Sequence, residues 1–160
     1  MQITIEDIVL DHDRRGISAL RPYLATDFCG EAATLVLEHP GTVMIVTGFY
    51  ILSAGAIETD GPPGAIVIGD ALQSIGYDVV YVTDNYSGPI MKEVIGSKAK
   101  LVEFPIMEKE SSEKFSRELL LEFAPSVLIS IERCGLDNEG FHRNMHGQDI
   151  SNYTASIDYL

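Results

Sequence analysis

The sequence has little cysteine and little positive charge, and each shortage excludes a class of protein. Cys29 and Cys134 are too few for a disulfide framework, so we expect two reduced thiols rather than a pair. There are 11 Lys and Arg residues against 24 Asp and Glu residues, a formal net charge of −13. Nucleic acids and anionic membrane surfaces attract clusters of positive charge, so neither is an expected partner.

Long apolar runs and a targeting segment are also missing. No apolar stretch, including residues 43–46 and 127–129, is longer than four residues, far short of the roughly 20 residues that cross a bilayer. No basic segment followed by an apolar one opens the chain, so we expect a cytoplasmic protein. With 160 residues, 46% of them apolar, the chain is large enough to bury a core without metal or disulfide support.

Four short apolar runs alternate with helical patterns in the middle of the chain. The runs are typical of strands and cover residues 42–47, 78–83, 100–104 and 126–131. The helical patterns cover residues 62–75, 89–95 and 111–124, the last with a serine cap. This alternation predicts an α/β, Rossmann-like three-layer fold. Its mainly parallel sheet has about four strands, and right-handed crossovers favour the order 3-2-1-4.

The chain length predicts a single α/β domain over residues 1–160. Its expected parts are a helical lead-in (1–40), the βαβαβαβ core (41–132), and a polar loop with a terminal helix (133–160). In the lead-in, a weak helical pattern covers residues 1–10, Pro22 ends or offsets a short helix, and Asp27 caps the next one. Asp149 is placed to cap the terminal helix, residues 152–160.

The switch point of the predicted sheet carries several acidic residues. Ligands of such sheets bind beyond the carboxyl ends of the strands where the winding reverses, here between Thr47–Gly48 and Glu132. The loop after the first strand is longer than a strand–helix connection needs, and its tail is ETDGPPG, residues 58–64. Asp60 is either a simple helix cap or, together with Glu58, part of a site in this crevice.

Further charged residues follow the second and fourth strands. Asp84 is as compatible with a turn or cap as with contact to a metal or a ribose. Glu132 and Arg133 come directly after the fourth strand. Arg133, one of few cations, would bind a substrate carboxylate if it lies in the crevice; the alternative is a surface ion pair with Glu132.

Several known catalytic motifs are missing. The chain has no Gly-rich dinucleotide or P-loop fingerprint and no nucleophile elbow. His142 and His146 are four residues apart, but a third ligand and the glutamate of the zinc motif are missing, which disfavours zinc. Oxygen donors near the crevice favour Mg²⁺ or Mn²⁺ instead, with Asp84 and Asp149 as the expected metal ligands. The available donors are Glu58, Asp60, Asp84, Glu132 and Asp149.

Five segments together resemble one protein family. They are LRPYLATDFCGEAA (20–33), TG (47–48), ETDGPPGA (58–65), VTD (82–84), and the run from IERCG through NMHGQDIS (131–151). From about residue 20 onward the chain is similar to the D-glutamate cyclase family, in particular its glutamate-cyclase-like C-terminal domain. The family domain continues beyond the position of Leu160. The resemblance therefore implies a shortened or N-terminal portion, incomplete at its C-terminus.

The resemblance implies a hydro-lyase that interconverts D-glutamate and 5-oxo-D-proline with loss or gain of water. This reaction needs a base near the ammonium, a cation that polarises the γ-carboxyl group, and an anchor for the α-carboxylate. We assign catalytic roles to Glu58, Asp60 and Glu132, and an anion seat to the start of the helix after Pro62. The expected substrate-binding residues are Thr47, Gly48, Thr59, Gly61, Gly64, Arg133 and Asn144.

Two further readings differ in class from the lyase. His146 stands where the family pattern has Arg, and an imidazole binds a carboxylate only when it is protonated. Because the chain stops at Leu160, one alternative is a non-enzymatic or incomplete Rossmann-like module, whose partner is a second copy or another chain that completes the fold. A nucleotide-binding domain with Asp84 on a ribose is disfavoured, because no Gly-rich phosphate loop is present. Under the lyase reading, the partner is a small amino acid or its lactam.

Overall fold

The computed structural model describes residues 3–11, 13–14 and 16–160, and the chain divides into two compact units, residues 1–40 and 41–160. The first unit is helical and contains α1 (Ile5–Val9), a 3₁₀ helix (Ile17–Tyr23) and α2 (Phe28–Leu37). Pro22 lies inside the 3₁₀ helix. Asp27 caps α2, since its Oδ1 accepts the N–H of Gly30 at 3.3 Å. Of the helix expected over residues 1–10, α1 is the described part; residues 1 and 2 lie outside the description.

The second unit is built around a parallel sheet. Its strands are β1 (Thr42–Thr47), β2 (Tyr50–Ile51), β3 (Ala56–Ile57), β4 (Asp78–Asp84), β5 (Lys100–Phe104) and β6 (Val127–Ile131). Its helices are α3 (Gly61–Ser74), α4 (Gly88–Ile95) and α5 (Lys109–Phe123). The main sheet has the order β5-β4-β1-β6 with every pair parallel, while β2 and β3 form a small antiparallel hairpin. The predicted α/β class and the strand order 3-2-1-4 are confirmed.

Helices cover both faces of the main sheet, which gives the three layers. β1 is the central strand and is buried from Val43 onward, because it carries apolar side chains toward both faces. On one face, α3 packs against β1 and β4, and α4 packs against β5. On the other face, α5 and the C-terminal segment enclose a buried apolar cluster. Its members are Met44, Val46, Val80, Val82, Phe104, Leu119, Ala155 and Ile157.

Two local predictions are wrong. The terminal helix expected over residues 152–160 is replaced by two short 3₁₀ turns, Ser151–Tyr153 and Ile157–Tyr159. A helix would direct the Ala155 carbonyl along its own axis, whereas this carbonyl accepts a hydrogen bond from Arg133 at 2.6 Å. The serine cap of α5 is also displaced, because this helix begins two residues earlier, after Glu108.

Candidate functional site

The end of β1 turns sharply at Gly48. This residue has φ 115°, a conformation that L side chains rarely adopt. A Cβ atom at Gly48 would lie 2.7 Å from Thr83 Oγ1 and 2.8 Å from Ser87 Oγ. Glycine is therefore required here both by the backbone conformation and by the close approach of β4, and it lets the chain leave the sheet into the long loop.

The hairpin β2–β3 folds this loop back toward the sheet. Tyr50 pairs with Ile57, and the N–H of Glu58 donates to the carbonyl of Phe49 at 2.8 Å. The hairpin therefore brings Glu58 back beside Phe49, close to the end of β1. The sequence did not predict this hairpin, because strands of two residues have no detectable alternation.

Asp60 caps α3. Its Oδ1 accepts the N–H of Gly61 at 3.0 Å, while the N–H of Gly64 donates to the Asp60 carbonyl at 3.2 Å. Pro62 and Pro63 have no N–H. The first turn of α3 therefore presents no free N–H group, and the anion seat expected at this helix lacks its donors. The positive end of the helix dipole instead favours carboxylates around it.

Glu132 comes directly after β6 and lies against the start of α3. A Cβ atom at Gly61 would be 2.8 Å from Glu132 Cβ and 2.8 Å from Thr47 Oγ1, so glycine permits this contact. Glu132 has φ 45°, in the left-handed region. A non-glycine residue there costs about 1–3 kcal/mol and persists when its surroundings hold it. Such backbone strain is frequent at functional sites.

Glu58, Asp60 and Glu132 form what we call the carboxylate cluster. Each residue offers a carboxylate oxygen, and these oxygens lie within 4.8 Å of one another. Glu58 is half-buried, and the other two are exposed. Three like charges at this spacing repel one another unless a cation or a proton is shared between them. The donor set is all oxygen and fits a hard divalent cation such as Mg²⁺ or Mn²⁺.

The structure places Asp84 and Arg133 against each other, away from solvent. Arg133 Nη1 donates to Asp84 Oδ2 at 2.7 Å, with the two side chains 5% and 4% exposed. The other carboxylate oxygen of Asp84 accepts the N–H groups of Tyr86 and Ser87 at 3.2 and 3.4 Å. Both oxygens of Asp84 are thus occupied within the fold, and Arg133 is not a surface partner of Glu132.

The remaining predicted residues are dispersed. Asn144 Oδ1 accepts the N–H groups of His146 and Gln148, which closes an exposed turn. Asp149 accepts the N–H of Ser151 at 2.9 Å, and the hydroxyl and N–H of Ser151 lower the pKa of Asp149. Asp149 therefore forms a local hydrogen-bonded turn with Ser151 and is not a member of the carboxylate cluster. Thr59 is exposed within the loop tail.

The two histidines do not share a helix face. His142 is buried, and its Nε2 is 2.9 Å from Asp158 Oδ2. His146 lies in the exposed turn after Asn144. Because the chain is extended at His142 rather than helical, the spacing of four residues separates the two rings.

A group of three aromatic rings, which we call the tyrosine cluster, was not expected from the sequence. Tyr50 and Tyr153 stack with their ring centroids 4.3 Å apart and their planes at 6°. Tyr86 packs on both, at 4.9 Å from Tyr50 and 5.7 Å from Tyr153. No periodicity in the sequence links these positions. The one available signal was that Tyr50 and Tyr86 each closely follow the end of a predicted strand.

A doubly wound α/β fold with acidic residues at its switch point defines a broad class of ligand-binding and catalytic proteins. Within this class, the family described as "D-glutamate cyclase-like, C-terminal" matches residues 5–160, and the chain belongs to that family. The chain is 28% identical over 141 residues to the human protein "D-glutamate cyclase, mitochondrial". That match covers 80% of this chain and 23% of the human protein. Among the described residues, no helix is long and apolar enough to cross a membrane.

Proposed function

We propose that this chain carries D-glutamate cyclase-like hydro-lyase chemistry, the interconversion of D-glutamate with 5-oxo-D-proline and water. The carboxylate cluster would be its reacting centre. The observation that carries this proposal is the convergence of Glu58, Asp60 and Glu132 within 4.8 Å, in a member of the D-glutamate cyclase-like family. These residues come from two segments far apart in the sequence, and both segments end at the switch point of the sheet.

The reaction makes demands that carboxylates can meet. In the cyclisation, the α-amine forms a bond to the γ-carboxyl carbon, and one γ-oxygen leaves as water. The ammonium must first lose a proton, which a neighbouring carboxylate can accept, and the departing oxygen must gain protons, which the same group can return. An acidic cluster also attracts the ammonium itself. The hydrogen bond from Gly61 to Asp60 fixes the direction of that carboxylate before any substrate arrives.

A divalent cation fits the same group of oxygens. Glu58, Asp60 and Glu132 would hold Mg²⁺ or Mn²⁺, and the ion would supply polarisation of the γ-carboxyl group. The protein's own contribution is to keep the three carboxylates together against their repulsion. The Asp60 cap, the Gly61 contact and the backbone of Glu132 each restrict one of them.

The proposal is tested by direct turnover. The purified chain is incubated with D-glutamate, L-glutamate and both enantiomers of 5-oxoproline, with and without Mn²⁺ or Mg²⁺, and products are followed by chiral chromatography. We expect interconversion selective for the D series. Asp60→Asn and Glu132→Gln should each lower it about 100-fold or more, as loss of a general base does. Asp70→Asn, an exposed acid further along α3, is the matched control and should keep full activity.

Two results would contradict the proposal. One is a folded chain that converts none of the four compounds, and the other is turnover that survives both cluster substitutions. Since the match covers 23% of the human protein, the first result would direct the search to a second chain that completes the site.

A second candidate function is that of a ligand-binding module completed by another copy or chain, and one observation favours it. β6 is an edge strand of the main sheet, and its Leu128 is 41% exposed. Edges of this kind accept a further strand. Light scattering with size-exclusion chromatography measures the oligomeric state. A monomer at all concentrations would contradict binding of a second copy at this edge, and a stable dimer would support it.

A further inference from the structure

We infer that Arg133 is a positioning residue rather than a substrate contact: its guanidinium clamps three segments together and thereby holds Glu132 in the carboxylate cluster. The inference rests on the proposed function for its catalytic consequence. Its structural part concerns the folded chain alone and is tested without substrate.

The hydrogen bonds of Arg133 reach three separate parts of the chain. Nη1 donates to the carboxylate of Asp84 at 2.7 Å and to the carbonyl of Gly48 at 3.0 Å, while Nη2 donates to the carbonyl of Ala155 at 2.6 Å. These acceptors follow β1, end β4 and belong to the C-terminal segment. We call this arrangement the Arg133 clamp. A planar guanidinium can serve three acceptors at once in a fixed geometry, which a lysine ammonium on a flexible stem does not reproduce.

The burial of the clamp separates it from the substrate. The Arg133 side chain is 5% exposed, and that of its partner Asp84 is 4% exposed. A substrate carboxylate would have to displace Asp84 and leave its buried carboxylate without an ion-pair partner, which is strongly unfavourable. The guanidinium of Arg133 and the carboxylate of Asp84 are thus already paired with each other within the fold.

The tyrosine cluster is assembled from the segments that the clamp joins. Tyr50 lies two residues after Gly48, Tyr86 two residues after Asp84, and Tyr153 two residues before Ala155. Their rings meet at centroid distances of 4.3 to 5.7 Å. Correct packing of these rings therefore depends on the three segments that converge on the guanidinium.

Glu132 directly precedes Arg133 in the sequence, and its backbone is strained. Its φ of 45° requires restraint from both sides. On one side, Arg133 fixes the following residue. On the other side, Gly61 allows α3 to touch Glu132 Cβ. When either restraint is lost, we expect the backbone to relax toward an ordinary conformation and the carboxylate to leave Glu58 and Asp60.

The first test measures the clamp itself. The chain has no tryptophan, so its near-ultraviolet circular dichroism reports chiefly on tyrosine packing. We expect Arg133→Lys to lose much of this signal while the far-ultraviolet spectrum is kept. Arg143→Lys is the matched control, since Arg143 also makes ion pairs, with Asp137 and Glu139, but on the surface. An unchanged near-ultraviolet spectrum in Arg133→Lys would overturn the clamp.

The second test distinguishes positioning from substrate contact. For Mn²⁺ alone, measured by electron paramagnetic resonance titration, we expect Arg133→Lys to raise Kd about tenfold or more, the usual effect of disturbing a residue behind a metal ligand. In turnover of D-glutamate, we expect kcat to fall while KM changes little, because the buried guanidinium does not meet the substrate. A raised KM with kcat preserved would identify Arg133 as a substrate anchor and overturn the inference.

A variant on the opposite side of Glu132 covers the case in which Arg133→Lys does not fold. Gly61→Ala pushes on Glu132 Cβ and on Thr47 Oγ1, and neither residue is part of the clamp. We expect weaker Mn²⁺ binding with an unchanged tyrosine spectrum, and wild-type affinity would count against the placement of Glu132. If the wild-type chain binds no Mn²⁺, the cation part of the proposed function fails, while the comparison of Arg133→Lys with Arg143→Lys still decides the clamp.

Discussion

At the residue scale, two non-glycine residues among those described have left-handed backbones, and their positions differ in meaning. Ala124 has φ 41° and ends α5, where a left-handed residue commonly terminates a helix. Glu132 has φ 45° and directly follows β6, where no helix end requires a left-handed residue. The left-handed backbone of Ala124 therefore serves to end a helix, whereas that of Glu132 serves to place its carboxylate in the carboxylate cluster.

This contrast predicts that glycine at either position stabilises the fold, but that only the substitution at Glu132 impairs function. Glu132→Gly should raise the free energy of unfolding by about 1 kcal/mol, because glycine removes the left-handed penalty, and should weaken Mn²⁺ binding and turnover. Ala124→Gly should bring a similar gain in stability with no functional loss. Urea unfolding and Mn²⁺ titration of both variants measure the two quantities. Glu132→Gly with reduced stability would show that the Glu132 backbone is not strained.

Individual partners of charged residues were the least predictable feature. The sequence indicated that Glu58, Asp60 and Glu132 lie at one crevice, because each flanks the end of a strand or the start of a helix there. It did not indicate that Asp84, 49 positions from Arg133, is the partner of that arginine. The choice between a substrate contact and an internal ion pair depends on distances of a few ångströms, which residue patterns do not contain.

At the scale of elements, two of the three glycines of α3, Gly64 and Gly69, have very different surroundings. A Cβ atom at Gly69 would lie 1.9 Å from the hydroxyl of Tyr81, a severe overlap with a buried residue of β4. At Gly64 the nearest atom to such a Cβ is Ile131 Cγ2 at 3.8 Å, an ordinary contact. Gly69 thus lets the helix approach the sheet closely, whereas Gly64 does not need to be glycine for packing.

We expect these two positions to respond with opposite sign to alanine. Gly64→Ala should stabilise the fold by about 0.5–1 kcal/mol through helix propensity. Gly69→Ala should destabilise it by about 1–3 kcal/mol, because overpacking outweighs the same propensity. Thermal unfolding of both variants measures the difference. Equal stabilisation would mean that Tyr81 can move aside at no cost, which would contradict the close packing of α3 on β4.

Regular elements were predictable because their patterns extend over several turns or alternations. The four strands of the main sheet and their order follow from apolar runs and crossover handedness, and both are confirmed. The hairpin β2–β3 and the 3₁₀ turns at the C-terminus are too short for any period. Their conformation is decided by tertiary hydrogen bonds, such as the one from Arg133 to Ala155.

At the scale of the whole molecule, the C-terminal segment is attached to the loop that follows β6 partly through Asp158. One oxygen of this carboxylate accepts the N–H of Leu136 at 2.8 Å, and the other lies 2.9 Å from Nε2 of the buried His142. Burial alone would raise the pKa of Asp158, but the hydrogen bonds from His142 and Leu136 outweigh burial and lower it. The folded state therefore favours the ionised carboxylate.

The sign of the resulting pH dependence follows from this lowered pKa. A carboxyl group with a lower pKa in the folded state stabilises the fold above its unfolded pKa of about 3.9 and loses that contribution as pH falls through the folded value. We expect Asp158→Asn to be less stable than wild type at pH 7, with the difference shrinking below about pH 4. Urea unfolding at a series of pH values measures it.

Glu118→Gln, which removes one exposed charge from α5, is the control for net charge and should follow wild type throughout. If the Asp158→Asn difference stayed constant down to the lowest pH at which both proteins fold, ionisation of Asp158 would not be its source.

The central position of β1 has a consequence for synthesis on the ribosome. One side of β1 is paired as soon as β4 emerges, but the other side waits for β6, and the Arg133 clamp joins residues 85 positions apart, Gly48 and Arg133. About 47 residues separate the end of β4 from the end of β6, so at a translation rate of about 5–20 residues per second the nascent chain displays that apolar edge for roughly 2 to 9 seconds. A chaperone that shields exposed strand edges would therefore engage this chain between the emergence of β4 and that of β6.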